Sequence, residues 1–366
     1  MKTSFLIILS VLCLLTGSCR NDEINDSSPE TIGSNTHYYP SINENEWETL
    51  SAESLGWDTS KLSALSDFLE QTQSKAFIIL KDGKIVVEEY LHGAQPDTQL
   101  PWNSAAKTIT ALAIGIAQEE GYLDIKKSSS LYLGTGWTSS PPELEKKITV
   151  QHQLSMTTGL DYNVANIHCT ESNCLQVLNN PGEKWYYHNA PYILLQEVVS
   201  KATSVSFEDY VQSRIQDKIG MDGSWNKLRY ANVFKSNARS MARFGLLCLQ
   251  KGVWKDNILM GDASYFEAMI SSSQHINTSY GYLWWLNGKE TVQFPQSEQV
   301  FNQSLITSAP KDLIAGLGKN DQKLYIVPSQ NLVVIRLGDD PSEENAFGPS
   351  KFDNDLWKIL TNLIQV

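Results

Sequence analysis

Residues 104–117 read SAAKTITALAIGIA, an apolar run that opens on a serine and carries a lysine three positions later. The run predicts a buried helix with Ser104 and Lys107 on one face, one turn apart. Burial lowers the pKa of a lysine, and the positive end of the helix dipole favours a developing serine alkoxide. Lys107 is therefore a candidate base for a nucleophilic Ser104. An ordinary buried helix that happens to contain both residues is the alternative.

Two other Ser-x-x-Lys matches occur in the chain, at residues 224–227 and 308–311. Neither opens an apolar helix, and Pro310 disfavours a helix in the second. The first match also has helix boundary signals, since Asn103 is a candidate N-cap and Gly121 a candidate stop. The sequence context therefore selects the first match as the candidate nucleophile motif.

Composition limits the classes of function. The chain has 366 residues, 41% of them hydrophobic, 19% charged, and a net charge of −12. This composition suits an enzyme-sized globular core, and an acidic chain without a lysine-rich run argues against nucleic acid as a partner. The sequence contains no His-Glu-x-x-His, Walker loop, Gly-x-Gly-x-x-Gly or Gly-x-Ser-x-Gly. Zinc proteases, nucleotide-binding folds and the usual α/β-hydrolases therefore have no signature here.

The N-terminus predicts export. Residues 1–18 have the charged start and short apolar run of a signal peptide. Residues 15–19, LTGSC, resemble a bacterial lipobox, in which Cys19 would be cleaved and acylated; a plain secretory signal is the alternative. Residues 19–45 are rich in Ser, Asn and acidic side chains and predict a flexible tether. We therefore expect an exported outer-membrane lipoprotein, periplasmic or on the cell surface, that meets the membrane only through its lipid.

Three cysteines follow the predicted anchor. Cys169 and Cys174 lie close together in a polar loop of an exported chain, which favours a disulfide. A metal site that includes the adjacent His168 is the alternative, although it would lack a fourth ligand. Cys248 lies in an apolar helical pattern and is expected to be a buried free thiol.

Strand patterns lie at both ends of the chain. A helix over 59–72 precedes a β-hairpin that turns at Asp82-Gly83, and two strands over 323–327 and 332–337 precede an amphipathic C-terminal helix. The segment between, about 123–290, is predicted to be mainly helical. The expected fold class is α/β (α+β), with one antiparallel sheet built from both termini and flanked by helices. An all-helical lobe would be inserted into a single domain over 46–366.

A second constellation lies at residues 181–189, PGEKWYYHN, which contains a Tyr-x-Asn that ends on Asn189. With the Ser-x-x-Lys it resembles the β-lactamase-related serine hydrolases: class C β-lactamases, D-Ala-D-Ala carboxypeptidases, and esterases and amidases of the same fold. A further Tyr-x-Asn at 230–232 lacks the Pro-Gly-x-x-Trp lead-in. The resemblance covers about 59–366 and includes LSMTTGLD at 154–161, MARFGLL at 241–247 and YGYLWW at 280–285.

The resemblance implies a β-lactamase/transpeptidase-like fold and catalysis through an acyl-enzyme, without a metal or organic cofactor. Ser104 would be the nucleophile, Lys107 its base, and Tyr187 a proton relay to the leaving group. Asn189 would orient the lysine and touch the substrate amide. A core tyrosine in an aromatic cluster is the alternative for Tyr187. His188, at the variable middle position, is expected to point away and serve packing.

The third motif of the family is normally Lys-Thr-Gly or His-x-Gly on a strand beside the cleft. Here Gly316-Leu317-Gly318 takes that place, so the usual cation for a substrate carboxylate is missing. The backbone amides of Lys319 and Ser104 would still form an oxyanion hole, while the Lys319 side chain is expected to point elsewhere. The aromatic side chains of YGYLWW, at 280–285, are candidates for either pocket walls or core packing.

These observations predict a serine hydrolase that cleaves a carboxylic ester or amide. Because the carboxylate-binding cation is absent, the pattern is closest to the esterase and aminohexanoate-oligomer hydrolase branch of the family. The expected partner is a small ester, amide or peptide-like molecule. The alternatives are a D-Ala-D-Ala carboxypeptidase or β-lactamase that acts on cell-wall-like substrates, and a catalytically idle surface binding protein.

Overall fold

The computed structural model describes residues 37–44, 46–341 and 351–365. The predicted signal peptide, Cys19 and most of the predicted tether lie outside these residues. Across the part of the chain that is described, no helix is both long and apolar enough to cross a membrane.

Within the described residues, the strands form one large sheet and three small ones. In chain order they are β1 (Ser74–Lys81), β2 (Lys84–Tyr90), β3 (Leu100–Pro101), β4 (Ser224–Leu228), β5 (Ala231–Ser236), β6 (Val253–Trp254), β7 (Asn257–Ile258), β8 (Trp285–Leu286), β9 (Val292–Gln293), β10 (Val300–Phe301), β11 (Ile314–Gly318), β12 (Gln322–Val327) and β13 (Leu332–Gly338).

The α-helices range from one turn to four. They are α1 (Leu62–Gln71), α2 (Lys107–Glu119), α3 (Ser130–Leu133), α4 (Pro142–Glu145), α5 (Val150–Leu154), α6 (Asn189–Thr203), α7 (Phe207–Val211), α8 (Asp217–Ile219), α9 (Ala238–Leu249), α10 (Ala263–Met269) and α11 (Lys351–Ile364). A π-helical segment, Gln212–Gln216, joins α7 to α8, so the region 207–219 is continuously helical.

The large sheet unites the two ends of the folded chain. Its six strands are antiparallel neighbours in the order β2-β1-β13-β12-β11-β8. The N-terminal hairpin turns at Asp82 and Gly83, both with positive φ, which suits the twist of a two-residue hairpin turn. The predicted sheet from both termini is confirmed.

Helices cover both faces of this sheet. Val333 of β13 lies against Gly245 of α9, where a side chain on the glycine would collide with it. Arg336, an odd number of positions further, stacks on Phe352 of α11 at 5.1 Å. Since successive residues of a strand point to opposite faces, α9 and α11 lie on opposite sides of the sheet. The core therefore has two layers, one on each face of the sheet. On the cleft side, the turn that precedes α2 packs against β11.

The inserted region is not all-helical as expected. It contains the hairpin β4–β5, which pairs with β3 to form a three-stranded sheet. Most side chains of β4 are exposed. The strand therefore lacks the alternation of apolar and polar residues that identifies a half-buried strand in a sequence.

The folded part also begins before residue 46, the expected end of the tether. The backbone N–H of Tyr38 donates to the carbonyl of Asp82 at 3.0 Å. Gly83 permits this approach, because a side chain there would collide with the Tyr38 carbonyl. Pro40 is buried, so this short segment belongs to the domain.

Candidate active site

A short 3-10 turn, Asn103–Ala106, carries the candidate serine and runs directly into α2. Asn103 was expected to cap the helix, and this expectation is wrong. The N-cap position of the turn belongs to Trp102, while Asn103 has φ 48°. The Asn103 side chain instead donates to the carbonyl of Lys319 at 2.8 Å. The asparagine therefore ties the serine turn to the end of β11.

Ser104 and Lys107 contact each other as their spacing predicts. The Lys107 Nζ donates to Ser104 Oγ at 3.1 Å. The lysine is 3% exposed, in a helix whose residues from Lys107 to Ala117 are all buried. Desolvation by burial lowers the pKa of Lys107 to about 7. Near neutral pH a large fraction of this amine can therefore accept a proton.

Tyr187 completes a three-residue arrangement around the serine. Burial raises the pKa of Tyr187, and its interaction with the Ser104 side chain opposes part of this rise. The Lys107 Nζ lies 5.0 Å from the ring centre of Tyr187 and 4.2 Å from that of Tyr192. Ring faces attract a cation, so the two tyrosines oppose part of the burial effect on the lysine.

An aromatic cluster supports Tyr187 from behind. Its ring stacks on Trp285 at 5.9 Å and meets the edge of Tyr280 at 6.1 Å. Trp185 contacts the same two rings. The aromatic side chains of residues 280–285 are buried and do not line the cleft. Of the two interpretations left open, core packing is the one that the structure shows.

Strand β11 brings the third motif beside the serine turn. A Cβ on Gly318 would collide with the carbonyl oxygen of Trp102 and lie 3.2 Å from the backbone nitrogen of Ala105. A Cβ on Gly316 would lie 3.1 Å from Thr108 Cγ2. Both glycines therefore allow close contact between strand and turn, and little space remains at Gly316 for the cation that the family usually has there.

This contact places the backbone of Lys319 next to the serine turn. Lys319 follows Gly318 directly and lines the same cleft as Ser104. The Lys319 carbonyl accepts a hydrogen bond from the Asn103 side chain. This bond fixes the backbone directly after the Lys319 amide. The neighbourhood expected of a two-amide oxyanion hole is thus present, and the role of the Ser104 and Lys319 amides stays a prediction.

Asn189 is the first residue of α6 and also lines the cleft. Its Nδ2 lies 3.1 Å from Nε2 of His168. Cys169 and Cys174 form the expected disulfide directly after this histidine, so neither sulfur is available as a metal ligand.

Cys248 is a buried free thiol, as expected, and burial raises its pKa. His188 is buried outside the main cleft, which agrees with a packing role.

The cleft in front of Ser104 has a volume of about 470 Å³. Its walls come from the serine turn, α6, β5, Lys319 and two loops, with the following lining residues: Asn103, Ser104, Lys107, Ala165, Asn166, Ile167, His168, Tyr187, Asn189, Tyr192, Ile193, Ala231, Asn232, Val233, Pro295, Gln296 and Lys319. The lining mixes polar and charged side chains with aliphatic and aromatic ones, so it can offer both hydrogen bonds and apolar contacts to a small molecule.

Several parts of this cleft were not predicted from the sequence, among them the loop with Pro295 and Gln296. Asn103 was assigned to helix capping, and His168 was considered only as a metal ligand. The second Tyr-x-Asn was set aside, yet Ala231 and Asn232 form a cleft wall. Asn232 donates to Glu208 at 2.7 Å. Of these residues, only His168 had a signal in the sequence. It directly precedes a cysteine pair that favours a disulfide, and a disulfide fixes the position of the residue beside it.

Comparison with known proteins agrees with this architecture. A family model described as Beta-lactamase matches residues 63–346. The 6-aminohexanoate-dimer hydrolase of Paenarthrobacter ureafaciens is 21% identical over 332 residues, 78% of this chain and 77% of that protein. Two solved structures share the fold. A Bacillus anthracis protein named as a 6-aminohexanoate-dimer hydrolase has a TM-score of 0.63 at 19% identity, covering 82% of this chain and 81% of its own. A Bacteroides dorei protein named as a beta-lactamase has a TM-score of 0.66 at 16% identity, covering 85% and 100%.

The sheet order, the buried Ser-x-x-Lys helix and the tyrosine beside it define the class of penicillin-recognising serine hydrolases and their relatives. Because the family model spans most of the chain, the protein belongs to the Beta-lactamase family. The expected β-lactamase/transpeptidase-like fold is confirmed.

Proposed function

We propose that this protein hydrolyses a carboxylic amide or ester through an acyl-enzyme on Ser104. The observation that carries the proposal is the contact of Ser104 Oγ with a buried lysine whose pKa is about 7. A catalytic base works best when its pKa lies near the working pH. An idle binding protein would have no need of a desolvated lysine beside a serine.

The chemistry follows from the three side chains. Ser104 Oγ attacks the substrate carbonyl carbon while its proton passes to the Lys107 Nζ, and the oxyanion is held by the backbone amides of Ser104 and Lys319. Tyr187 then delivers a proton to the leaving nitrogen or oxygen as the bond to the acyl carbon breaks, and the Lys107 ammonium gives its proton to Tyr187, which leaves the amine neutral again. A water molecule then attacks the acyl-enzyme and gives its proton to the neutral Lys107. The bond between the acyl carbon and Ser104 Oγ breaks, the acid leaves, and the proton passes from Lys107 to Ser104 Oγ.

The substrate class follows from the third motif. Gly316 leaves no cation for the carboxylate that penicillin-binding enzymes hold, which supports a substrate without a carboxylate at that position. Two relatives named for the hydrolysis of 6-aminohexanoate dimers support a linear amide. Amides and esters share the acyl-enzyme route, so both remain within the proposal.

Covalent labelling tests the nucleophile. A fluorophosphonate probe should label the wild type and leave Ser104→Ala unlabelled. Ser224→Ala is the matched control, since Ser224 also lies three residues before a lysine but is exposed on β4. Labelling that persists in Ser104→Ala would reject the assignment, and loss of labelling in the control would point to a folding defect.

A substrate ranking separates the proposal from its nearest rival. The kcat/KM for short nitrophenyl esters and linear 6-aminohexanoate amides should exceed that for nitrocefin and for D-Ala-D-Ala peptides. The reverse ranking would favour a β-lactamase or carboxypeptidase. In that case the carboxylate would need a binding group other than a side chain at Gly316.

Export and lipid anchoring are a separate proposal. The sequence at residues 15–19 supports acylation of Cys19, which would place the enzyme on the outer membrane, periplasmic or at the cell surface. Growth with labelled palmitate should tag the wild type but not Cys19→Ala. A wild type without label would leave an ordinary secreted protein.

A further inference from the structure

A short loop before the Tyr-x-Asn motif is fixed to the catalytic side of the cleft. The loop contributes residues 165–168 to the cleft wall. The backbone N–H of Ala190 in α6 donates to the carbonyl of Ile167 at 2.8 Å, and the disulfide of Cys169 and Cys174 closes the chain on the other side. The loop is therefore held at two points that flank His168.

The contact between His168 and Asn189 has a defined chemical direction. A carboxamide nitrogen only donates hydrogen bonds, so His168 Nε2 accepts from Asn189 Nδ2 at 3.1 Å. A ring nitrogen that accepts is unprotonated, which makes His168 a neutral imidazole with its proton on Nδ1. Burial and the nearby charge of Lys107 both lower the pKa of His168, in agreement with a neutral ring.

This direction determines how Asn189 presents its two polar atoms. The carboxamide is planar, with Nδ2 and Oδ1 on opposite sides of its axis. Asn189 lines the cleft that also holds Ser104, and with Nδ2 committed to His168 its Oδ1 is the atom that can accept a hydrogen bond from a substrate. An acceptor there matches the N–H of an amide substrate. An ester has no such hydrogen to donate.

We propose that His168 is a positioning residue that holds the Asn189 carboxamide so that its Oδ1 accepts the N–H of a scissile amide. When the N–H of the leaving nitrogen points at Asn189, the lone pair of that nitrogen points to the opposite side. Tyr187 can then protonate the lone pair. The cleft thereby favours amides over esters of the same acid. The inference rests on the proposed hydrolase function and specifies its substrate class.

Paired substrates test this role. A nitroanilide and a nitrophenyl ester of the same acid should respond differently to His168→Leu, which keeps the bulk but removes the acceptor. We expect kcat/KM to fall about tenfold for the anilide, the usual effect of one lost hydrogen bond, and less than about threefold for the ester. His168→Gln, which offers a side-chain oxygen near the position of Nε2, should recover most of the anilide activity.

A double-mutant cycle separates positioning from a general structural effect. Since His168 acts through Asn189, the change His168→Leu should have little further effect on anilide hydrolysis in an Asn189→Ala background. His275→Leu, at an exposed histidine, is the matched control and should leave both substrates unaffected. Equal loss on both substrates, additive losses in the cycle, or no rescue by His168→Gln would overturn the proposal.

An NMR measurement tests the protonation state of the His168 ring without any substrate. Long-range ¹H–¹⁵N spectra of the wild type, assigned with His168→Gln, should show a neutral ring protonated at Nδ1. A ring protonated at Nε2 would reverse the Asn189 orientation and reject the inference. If the wild type shows this ring state but neither labels nor hydrolyses any substrate, the proposed function fails while the geometry stands.

Discussion

The properties of Lys107 come from a balance of opposing effects on one amine. Its position in the first turn of a helix that is buried from Lys107 to Ala117 removes water from the ammonium, and this desolvation is the dominant cause of its lowered pKa. The faces of Tyr187 and Tyr192 attract the charged form. The result is an amine that gains and loses its proton near neutrality while in contact with Ser104.

This balance predicts how Ser104 depends on pH. Only the neutral amine of Lys107 can accept the serine proton, and its pKa of about 7 in the folded protein sets the midpoint. The rate of fluorophosphonate labelling should therefore rise about tenfold between pH 6 and pH 8, with an apparent pKa near 7. A rate that rises only above pH 9 would mean that the lysine keeps its ordinary pKa.

The same lysine should lower the stability of the fold. A group whose pKa falls on folding binds fewer protons in the native state than in the unfolded state, so at pH 7 its burial opposes folding. Lys107→Met should therefore abolish labelling of Ser104 and raise Tm by about 2–8 °C. Thermal unfolding at pH 7 measures this, with Lys184→Met, at an exposed lysine, as the control. A lower Tm in Lys107→Met would show that the lysine stabilises the fold.

Individual site residues differed in how far the sequence could predict them. Ser104 and Lys107 lie on one helix at a fixed spacing, so their contact follows from local geometry. Tyr187 was reached only through the family resemblance. His168 and Asn103 contact partners 21 and 216 positions away in the chain. Such contacts depend on loop conformation and on the docking of β11, neither of which has a local pattern.

At the scale of elements, β11 is the part of the sheet that shapes the site. It lies against the serine turn because Gly316 and Gly318 carry no side chain on that side. The clearance differs between the two positions. A Cβ on Gly318 would collide with backbone, whereas a Cβ on Gly316 would lie 3.1 Å from the methyl group of Thr108 and 3.3 Å from the carbonyl of Ala105.

These clearances predict a graded response to alanine. Gly318→Ala should push β11 from the serine turn, lower the free energy of unfolding by about 1–3 kcal/mol, and slow Ser104 labelling at least tenfold, because the Lys319 amide moves with the strand. Gly316→Ala, its matched control, should cost less than about 1 kcal/mol, since a methyl group can shift more easily than backbone. Urea unfolding and labelling rates measure both. Equal effects would contradict this account.

The elements themselves were predictable where one physical signal dominated. The N-terminal hairpin, β12, β13 and the C-terminal helix follow from alternating or helical hydrophobic patterns next to turn residues. The hairpin β4–β5 was missed because its outer strand is mostly exposed and polar. Its pairing with β3 depends on residues more than a hundred positions earlier, and no local propensity encodes such pairing.

At the scale of the molecule, a buried ionic network links the C-terminal helix to the sheet. Lys323 of β12 contacts Asp321 at 2.7 Å and Asp353 of α11 at 2.8 Å. Asp353 also accepts a hydrogen bond from Tyr325 at 2.6 Å. Burial alone would lower the pKa of Lys323, but the two carboxylates raise it overall. The lysine thus stays charged in the core, and α11 supplies one of the two charges that hold it.

Removing one partner of this buried network should therefore lower the free energy of unfolding far more than removing a carboxylate that pairs only at the surface. Asp353→Ala leaves Lys323 with one carboxylate and Tyr325 without its acceptor, and should lower the free energy of unfolding by about 3–5 kcal/mol. Asp355→Ala, two residues along the same helix, removes only pairs with the exposed Lys351 and Lys358 and should cost less than about 1 kcal/mol. Urea unfolding at pH 7 compares them. Similar losses would mean that α11 is held by its apolar face alone.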